Sequence, residues 1–158
     1  MSTSYFVHHC RNAWRYAWPF FPGTFVGLLI GLVGVVSGSH FVVRRGVLEI
    51  SGGAARWYLR LGIPGMGEMP AMTFGHVILG RDQATIEQWR DHEHVHVRQY
   101  ECWGPLLIPV LLLTGLWQAA VGGDPYYDNP FEREAYAGAQ CPHEIVWRPR
   151  RHPSKSTT

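Results

Sequence analysis

The residues with the clearest chemical potential lie in one short stretch of the chain. Positions 92–96 read His-Glu-His-Val-His and match the pattern H-E-x-x-H. On an α-helix, His92 and His96 lie one turn apart, about 40° round the axis, so both imidazoles can reach one metal ion. Glu93 lies beside them and can act as the general base that activates water without binding the metal itself. The spacing therefore predicts a zinc site on a helix.

The same three histidines also alternate, which would suit a strand with His92, His94 and His96 on one face. The flanking residues favour a helix, because polar and metal-side residues then separate onto two faces. The polar face would carry Asp91, His94, Arg98 and Glu101, and the other face Trp89, His92, His96, Gln99 and Trp103. On this interpretation His94 points away from the metal as a surface histidine, and Gln99 and Tyr100 pack around the site.

A third ligand is expected downstream, because catalytic zinc usually has three protein ligands and one open position. Asn129 and Pro130 predict the start of a second helix, as N-cap and first helical residue. Glu132 lies in its first turn and is free to point back at the first helix. Two alternatives stay open. Glu132 could instead complete a capping box with Asn129, and Glu134, about 160° away round the helix, could be the ligand.

An H-E-x-x-H helix followed by a glutamate on a later helix resembles the gluzincin metallopeptidases. Small, membrane-embedded members of that family carry the third ligand in an E-x-x-A-D type sequence. Positions 132–136 read Glu-Arg-Glu-Ala-Tyr, which is similar, with Glu132 at the ligand position and Ala135 also matching. The departure is Tyr136, where the family has an aspartate that orients a zinc-binding histidine. A neutral phenol is a weaker acceptor for that purpose.

The resemblance covers roughly residues 71–137 and implies specific roles. His92, His96 and Glu132 would bind Zn²⁺. Glu93 would be the catalytic base for attack on a peptide carbonyl and then the acid that protonates the leaving amine.

The oxyanion that forms during such a reaction requires a further hydrogen-bond donor. The sequence offers four donors and does not choose among them: His76, Tyr127, Tyr136 and His143.

The expected fold is α+β, a minimal zincin-like sheet packed against the active-site helices, with an N-terminal transmembrane helix. Short strands are predicted at 47–50 and 57–61, and a third, rich in β-favouring residues, at 71–79. In the gluzincins a substrate-binding edge strand precedes the H-E-x-x-H helix. The third strand occupies that place and could pair with an extended peptide substrate by β-augmentation.

Residues 17–43 contain no charged side chain. A helix of that length would reach about 40 Å, enough for a bilayer core of roughly 30 Å. We predict an uncleaved membrane helix here, in preference to a signal peptide cleaved near residues 37–39. Gly23, Gly27 and Gly31 recur at every fourth position, a pattern that either lets a partner helix approach closely or simply reflects a glycine-rich span.

A second uncharged run covers residues 102–123. If it crossed the bilayer, Glu132 would lie about 30 Å from the histidines on the opposite side, too far for one zinc ion. We therefore expect an apolar helix at 103–121 that packs on the sheet or dips into the membrane, although a zinc site at membrane depth stays open. The predicted organisation is a membrane anchor at 1–45, a metallopeptidase domain at 46–148 and a basic, disordered tail at 149–158.

The charge balance bears on the class of partner. Fourteen basic against 12 acidic residues give a formal net charge of +2, which creates no strong field for nucleic acid, so none is expected as a partner.

Taken together, these patterns predict a membrane-associated zinc-dependent endopeptidase whose partners are the lipid bilayer and a peptide or protein substrate. The alternative is a catalytically inactive, zinc-containing membrane protein that acts as a binding or assembly subunit. A third possibility is an integral membrane protein without metal.

Overall fold

Helices and a small sheet alternate along the chain in the computed structural model, which describes residues 22–62 and 67–139. The predicted α+β class is confirmed. His143 and the predicted tail lie outside the described residues. The elements are α1 (Pro22–Val36), β1 (His40–Arg44), β2 (Val47–Ser51), α2 (Gly53–Leu61), β3 (Ala71–Phe74), β4 (Val77–Gly80), α3 (Gln83–Trp103), a 3₁₀ turn (Gly104–Leu106), α4 (Leu107–Ala120) and α5 (Pro130–Gly138).

The sheet is built from two hairpins and has the strand order β1-β2-β4-β3. Strands β1 and β2 pair antiparallel, as do β3 and β4, while β2 and β4 are joined in parallel, with Leu48 opposite Val77. A parallel pair requires a crossover connection, which here contains α2. Strand β3 is consequently an edge strand.

Helices cover both faces of the sheet. On one face, α1 and α2 pack over a core that includes Ile50, Leu59 and Val77. On the other face lies α3, whose Arg90 donates two hydrogen bonds to the buried Glu49 of β2, at 2.7 and 3.2 Å. A buried carboxylate is tolerated there because it has a bidentate guanidinium partner. The sheet thus fixes the position of α3, which carries the H-E-x-x-H stretch.

The predicted N-terminal membrane span is not supported. Its part before residue 22 lies outside the described residues. Helix α1 has 15 residues and therefore a length of roughly 22 Å. After it the chain enters β1, which forms a hairpin with β2 around residue 45. The boundary predicted at residue 45 therefore falls within a hairpin of the sheet. An apolar run cannot by itself distinguish a helix from a strand, and the sequence prediction failed for that reason.

The glycines predicted to face a partner helix pack inside the chain itself. A Cβ atom on Gly27 would lie 2.7 Å from Val77, and one on Gly31 would lie 2.7 Å from Ile50. Gly23 lies against the ring of Tyr100. The glycines therefore let α1 lie close on the sheet of its own chain. A partner helix was expected to occupy this face.

Two of the predicted strands differ from the observed structure, while the strand predicted at 47–50 is confirmed as β2. Residues 57–61 are helical, part of α2, whose Ala55 and Leu59 are buried at the four-residue spacing of a helix face. Residues 71–79 are not one strand but the hairpin β3–β4, which turns at Gly75, where φ is +60°.

Helix α4 is the apolar helix expected at 103–121, and much of it is exposed. Its large exposed side chains are Ile108, Leu112, Leu113, Leu116 and Trp117. By length and composition alone, the helical stretch Gln83–Ala120 is long and apolar enough to cross a membrane. It lies in the middle of the chain, not at the N-terminus. The charged residues of this stretch are in α3, so its apolar part is α4.

Candidate metal centre

His92, His96 and Glu132 converge at one buried point between α3 and α5. Their potential ligand atoms all lie within 4.8 Å of one another, and all three residues are buried. The cluster could hold a metal ion. Glu132 reaches it because Asn129 caps α5, its Oδ1 accepting a hydrogen bond from the N–H of Phe131 at 3.1 Å. The two predicted helices therefore lie against each other in the structure.

The distances between these atoms suit zinc. The two Nε2 atoms of His92 and His96 are 3.2 Å apart. Each Nε2 is 3.5 Å from an oxygen of Glu132. Tetrahedral ligands at the usual zinc distances of roughly 2.0–2.1 Å are separated by about 3.3 Å. The donor set of two imidazoles and one carboxylate also matches catalytic zinc sites.

Glu134, the alternative ligand, lies elsewhere. Its carboxylate accepts a hydrogen bond from Nε2 of Gln99 at 3.0 Å, and its side chain is on the exposed side of α5. The capping-box alternative for Glu132 is also wrong, because that carboxylate points at the histidines.

Burial raises the pKa of Glu132, but the polar contacts with His92 and His96 outweigh it and hold the pKa at about 2. Glu132 is thus an anion.

Gln99 orients one of the histidines. Its Oε1 lies 2.8 Å from Nδ1 of His96. The Gln99 amide nitrogen donates to the backbone oxygen of Phe131 and to Glu134, both at 3.0 Å. Since the amide nitrogen is committed to two oxygens, the amide oxygen must accept the Nδ1 proton of His96. Nε2 is then the nitrogen left to bind a metal ion. Burial lowers the pKa of His96, but its contacts with Glu132 outweigh burial and raise the pKa to about 9. Metal binding would therefore displace the proton on Nε2.

His92 has no comparable support. Its Nδ1 is buried and has no hydrogen-bond partner among the described residues. The ring of Tyr136 lies against it with a centroid distance of 4.5 Å, and Trp89 lies at 5.5 Å. Burial raises the pKa of Tyr136 to about 12, so the phenol is neutral. The sequence predicted that Tyr136 would be a poor orienting group, and it contacts His92 through its ring.

Glu93 lies one residue from the first ligand and is itself buried. The hydroxyl of Thr73, in edge strand β3, lies 2.7 Å from Oε2 of Glu93 and donates to it. Glu93 is therefore positioned by the sheet rather than by its own helix. Sequence reasoning did not single out Thr73, since no local pattern links a strand hydroxyl to a helix 20 residues later.

The cluster opens into a cavity of about 270 Å³ bounded by β3, α3 and α4. Glu93 and the three cluster residues line it, together with Tyr100 as predicted. Most of the remaining wall is apolar: Met69, Met72, Phe74, Leu107, Ile108, Leu111 and Leu112. Such a cavity, largely apolar with a few converging polar groups, is typical of small-molecule and substrate sites.

Of the four predicted oxyanion donors, none lines this cavity among the described residues. His76 lies elsewhere, with Nε2 3.3 Å from Glu101. Tyr127 is 41% exposed and stacks on Tyr136. His143 is outside the described part of the chain. The structure instead places Tyr126 in the cavity wall.

Tyr126 is held in the loop before α5. Its N–H donates to Oδ1 of Asp124 at 2.9 Å, an Asx turn that the pair Asp124-Pro125 could have signalled. Burial, together with the Glu132 carboxylate, raises the pKa of Tyr126. Tyr126 is therefore a neutral phenol in the cavity wall, and its hydroxyl interacts with that of Tyr136.

His94 does point away from the cluster, but it is not a surface residue. It is 7% exposed, because the β1–β2 turn and the β3–β4 turn cover that side of α3. The helical periodicity predicted its direction and could not predict what lies over it.

The sequence matches no protein-family model, and neither a curated protein nor a solved structure is detectably similar to the chain. The functional assignment of this centre therefore depends on its own geometry.

Proposed function

We propose that this protein is a membrane-associated zinc-dependent endopeptidase of gluzincin type. The observation that carries the proposal is the convergence of His92, His96 and Glu132 beside Glu93, at one end of a cavity that an edge strand borders. When bound, zinc would polarise a carbonyl and lower the pKa of a water molecule. His92 and His96 would hold it as neutral imidazoles, and Glu132 as a carboxylate.

The chain's own groups suit the proton transfers of peptide hydrolysis. The Glu93 carboxylate would take a proton from the attacking water and then give it to the departing amine nitrogen. Thr73 would keep Oε2 of Glu93 in place. Tyr126 would donate a hydrogen bond to the substrate's carbonyl oxygen from the cavity wall.

Among the residues that the structure describes, the outer edge of strand β3 has no strand paired to it, so its backbone groups could hold a peptide. The N–H of Arg81 donates to the backbone oxygen of Pro70 at 3.2 Å, so Pro70–Arg81 is a hydrogen-bonded pair of the β3–β4 ladder. Hydrogen-bonded pairs alternate along an antiparallel ladder. The N–H and C=O groups of Ala71 and Thr73 therefore point to the open edge. An extended substrate paired there would pass beside Glu93.

Membrane association is supported by the two apolar helices. Helix α4 exposes Leu113 and Leu116, and α1 exposes Leu32 and Val36. A soluble monomer rarely leaves such contiguous apolar surface in water. Helix α4 also provides part of the cavity wall, so the substrate would be cut near the membrane surface.

The test uses full-length protein purified in detergent without chelators. Wild type should contain about one zinc per chain, and Glu132→Ala should lose most of it. Glu134→Ala is the matched control and should keep the metal. Cleavage of a defined peptide mixture, followed by mass spectrometry, should fall about 10²–10⁴-fold in Glu93→Gln while zinc is retained. Wild-type protein that carries no zinc would overturn the proposal.

One observation favours the alternative of an inactive zinc-containing subunit. Position 136 holds a phenol, and Nδ1 of His92 is left without a partner in the described residues. A weakly oriented ligand lowers metal affinity and activity. Stoichiometric zinc, together with peptide cleavage that is identical in wild type and Glu93→Gln, would select this alternative.

A further inference from the structure

A buried amide joins helix α4 to the start of α5. Asn129, directly before α5, is 1% exposed. Its side-chain nitrogen donates a hydrogen bond to the backbone oxygen of Leu111 in α4, at 2.9 Å. Its side-chain oxygen accepts a hydrogen bond from the N–H of Phe131 in α5, at 3.1 Å. One side chain therefore holds the first turn of α5 against α4.

The cap of α5 alone does not require an asparagine. An N-cap uses only a side-chain oxygen, and serine or aspartate serves as well as asparagine. Neither could replace the contact with Leu111, because serine is too short and an aspartate carboxylate has no N–H to donate. The amide nitrogen of Asn129 thus has a separate role, which is to bind α4.

Helix α4 has a glycine at the place where this contact is made. Gly115 is buried in the helix. A Cβ atom there would lie 2.9 Å from the backbone oxygen of Pro125 and 3.5 Å from Nδ2 of Asn129. Glycine inside a helix is less favourable than alanine. The close approach of residues 125–129 to α4 explains why position 115 has no side chain.

Two groups of the metal centre are attached to Asn129. Glu132 follows it by three residues, in the first turn of α5, and its carboxylate oxygens lie 3.5 Å from Nε2 of His92 and of His96. Tyr126 precedes it by three residues and accepts a hydrogen bond from the N–H of Asn129 at its backbone oxygen, at 3.1 Å. Ligand groups must be held to within about 0.5 Å to bind a metal well. A shift of Asn129 would therefore be felt at the cluster.

We propose that Asn129 is a positioning residue of the metal centre, which acts through Glu132 by tying the start of α5 to α4. Helix α4 carries none of the three cluster residues, yet the affinity for metal would depend on it. The exposed apolar face of α4, which we propose to contact the membrane, is thus connected directly to the metal centre. The role of Asn129 rests on the metal binding in the proposed function and not on peptide cleavage.

The experiment is titration of Co²⁺ into the metal-free, full-length protein in detergent. Visible absorption reports both the affinity and the ligand geometry of the bound ion. In Asn129→Ser, the hydroxyl can still cap α5 but cannot reach Leu111. Gly115→Ala forces α4 away from residues 125–129, changes no residue of α5 and favours the helical state of α4 itself. Leu116→Ala, at the next position of α4 and 67% exposed, is the matched control.

Both test variants should bind Co²⁺ about tenfold or more weakly than wild type, and Leu116→Ala should bind it as wild type does. The spectra of Asn129→Ser and Gly115→Ala should shift towards that of Glu132→Ala. In protein that already carries Glu132→Ala, Asn129→Ser should cause no further loss of affinity, because Asn129 acts through Glu132. Circular dichroism checks that each variant is folded, and Gly115→Ala decides if Asn129→Ser is not.

The contrary results separate the two proposals. Wild type that binds no Co²⁺ would overturn the proposed function and the role of Asn129 together. Binding by wild type that neither Asn129→Ser nor Gly115→Ala weakens would overturn the role of Asn129 alone. The same holds if Asn129→Ser causes its full loss of affinity in the Glu132→Ala protein, since Asn129 would then act on the fold as a whole.

Discussion

The amide oxygen of Gln99 lies 2.8 Å from Nδ1 of His96, three residues before it on the same helix. Through its amide nitrogen Gln99 also bonds to Phe131 and Glu134 of α5. One side chain thus orients a ligand on α3 and ties α3 to the helix that carries Glu132. His92 lacks an equivalent, so the two histidines of the cluster are held unequally.

Replacing Gln99 should weaken metal binding without removing any ligand. In Gln99→Leu, Nδ1 of His96 loses its acceptor, and we expect zinc affinity to fall about 10–100-fold. Competition with a chromophoric chelator measures it. Gln88→Leu changes an exposed glutamine of the same helix and should leave the affinity unchanged. Equal affinities in the two variants would show that Gln99 does not orient His96.

Replacing Tyr136 with an acidic residue should strengthen metal binding, the opposite of the effect expected at Gln99. In Tyr136→Asp, a carboxylate takes the place of the ring that packs on His92 and can accept the Nδ1 proton. We expect zinc affinity to rise, by about tenfold. Tyr136→Leu removes the phenol without supplying an acceptor and should bring no gain. A gain of the same size in both variants would mean that the ring, not the missing acceptor, limits binding.

Thr73 should be a positioning residue for Glu93. Thr73→Val removes the hydroxyl that bonds to Oε2 of Glu93 at 2.7 Å and leaves a buried carboxylate without that donor. We expect the free energy of unfolding to fall by about 1.5–3 kcal/mol, measured by urea denaturation. Thr73→Ser keeps the hydroxyl and should restore most of the loss. If the serine variant is as unstable as the valine variant, packing and not the hydrogen bond is responsible.

The ionisation of Glu132 should make the metal-free protein sensitive to acid. Its pKa is about 2 in the folded chain, against a reference value of 4.5. A lowered pKa contributes stability that is present above pH 4.5 and lost as the pH falls towards 2. With a chelator present, the difference in free energy of unfolding between wild type and Glu132→Gln should therefore shrink across this window. Gln88→Leu, which changes an exposed residue without an ionisable group, should show no such trend.

The exposed face of α4 should determine membrane binding. Leu113 and Leu116 are 65% and 67% exposed, so replacing both with glutamine should leave the fold intact. Burying a leucine side chain contributes roughly 1.5–3 kcal/mol, and we expect vesicle binding, measured by flotation, to fall at least about tenfold. Leu61→Gln, at an exposed position of α2, is the control. Undiminished flotation of the α4 variant would place the membrane contact elsewhere.

The metal cluster could be predicted because the spacing of its residues along the chain indicates where each one lies on its helix. His92 and His96 are four residues apart, and Asn129-Pro130 marks the helix that brings Glu132 to them. Helical periodicity then fixes which side chains share a face. The distance in space between α3 and α5 does not follow from spacing. The requirement that one zinc ion bind all three residues was what linked them.

The parts that could not be predicted depend on the tertiary environment. Residues 40–44 form a strand because they pair with β2, yet in the sequence they continue an uncharged run. Thr73 and Tyr126 reach the site from a strand and a loop, and no helical or strand period marks them. The burial of His94 arises from two turns that are distant in the sequence.

The position of Glu132 determines which segment of the chain a bound metal ion would enclose. It follows His96 by 36 positions, and the residues between them include the whole of α4. A metal ion shared by His96 and Glu132 would close this segment into a loop in the folded chain, and its binding free energy would stabilise the folded state. Chelation would then reopen the loop, so the region after Trp103 should become sensitive to proteases before the sheet does.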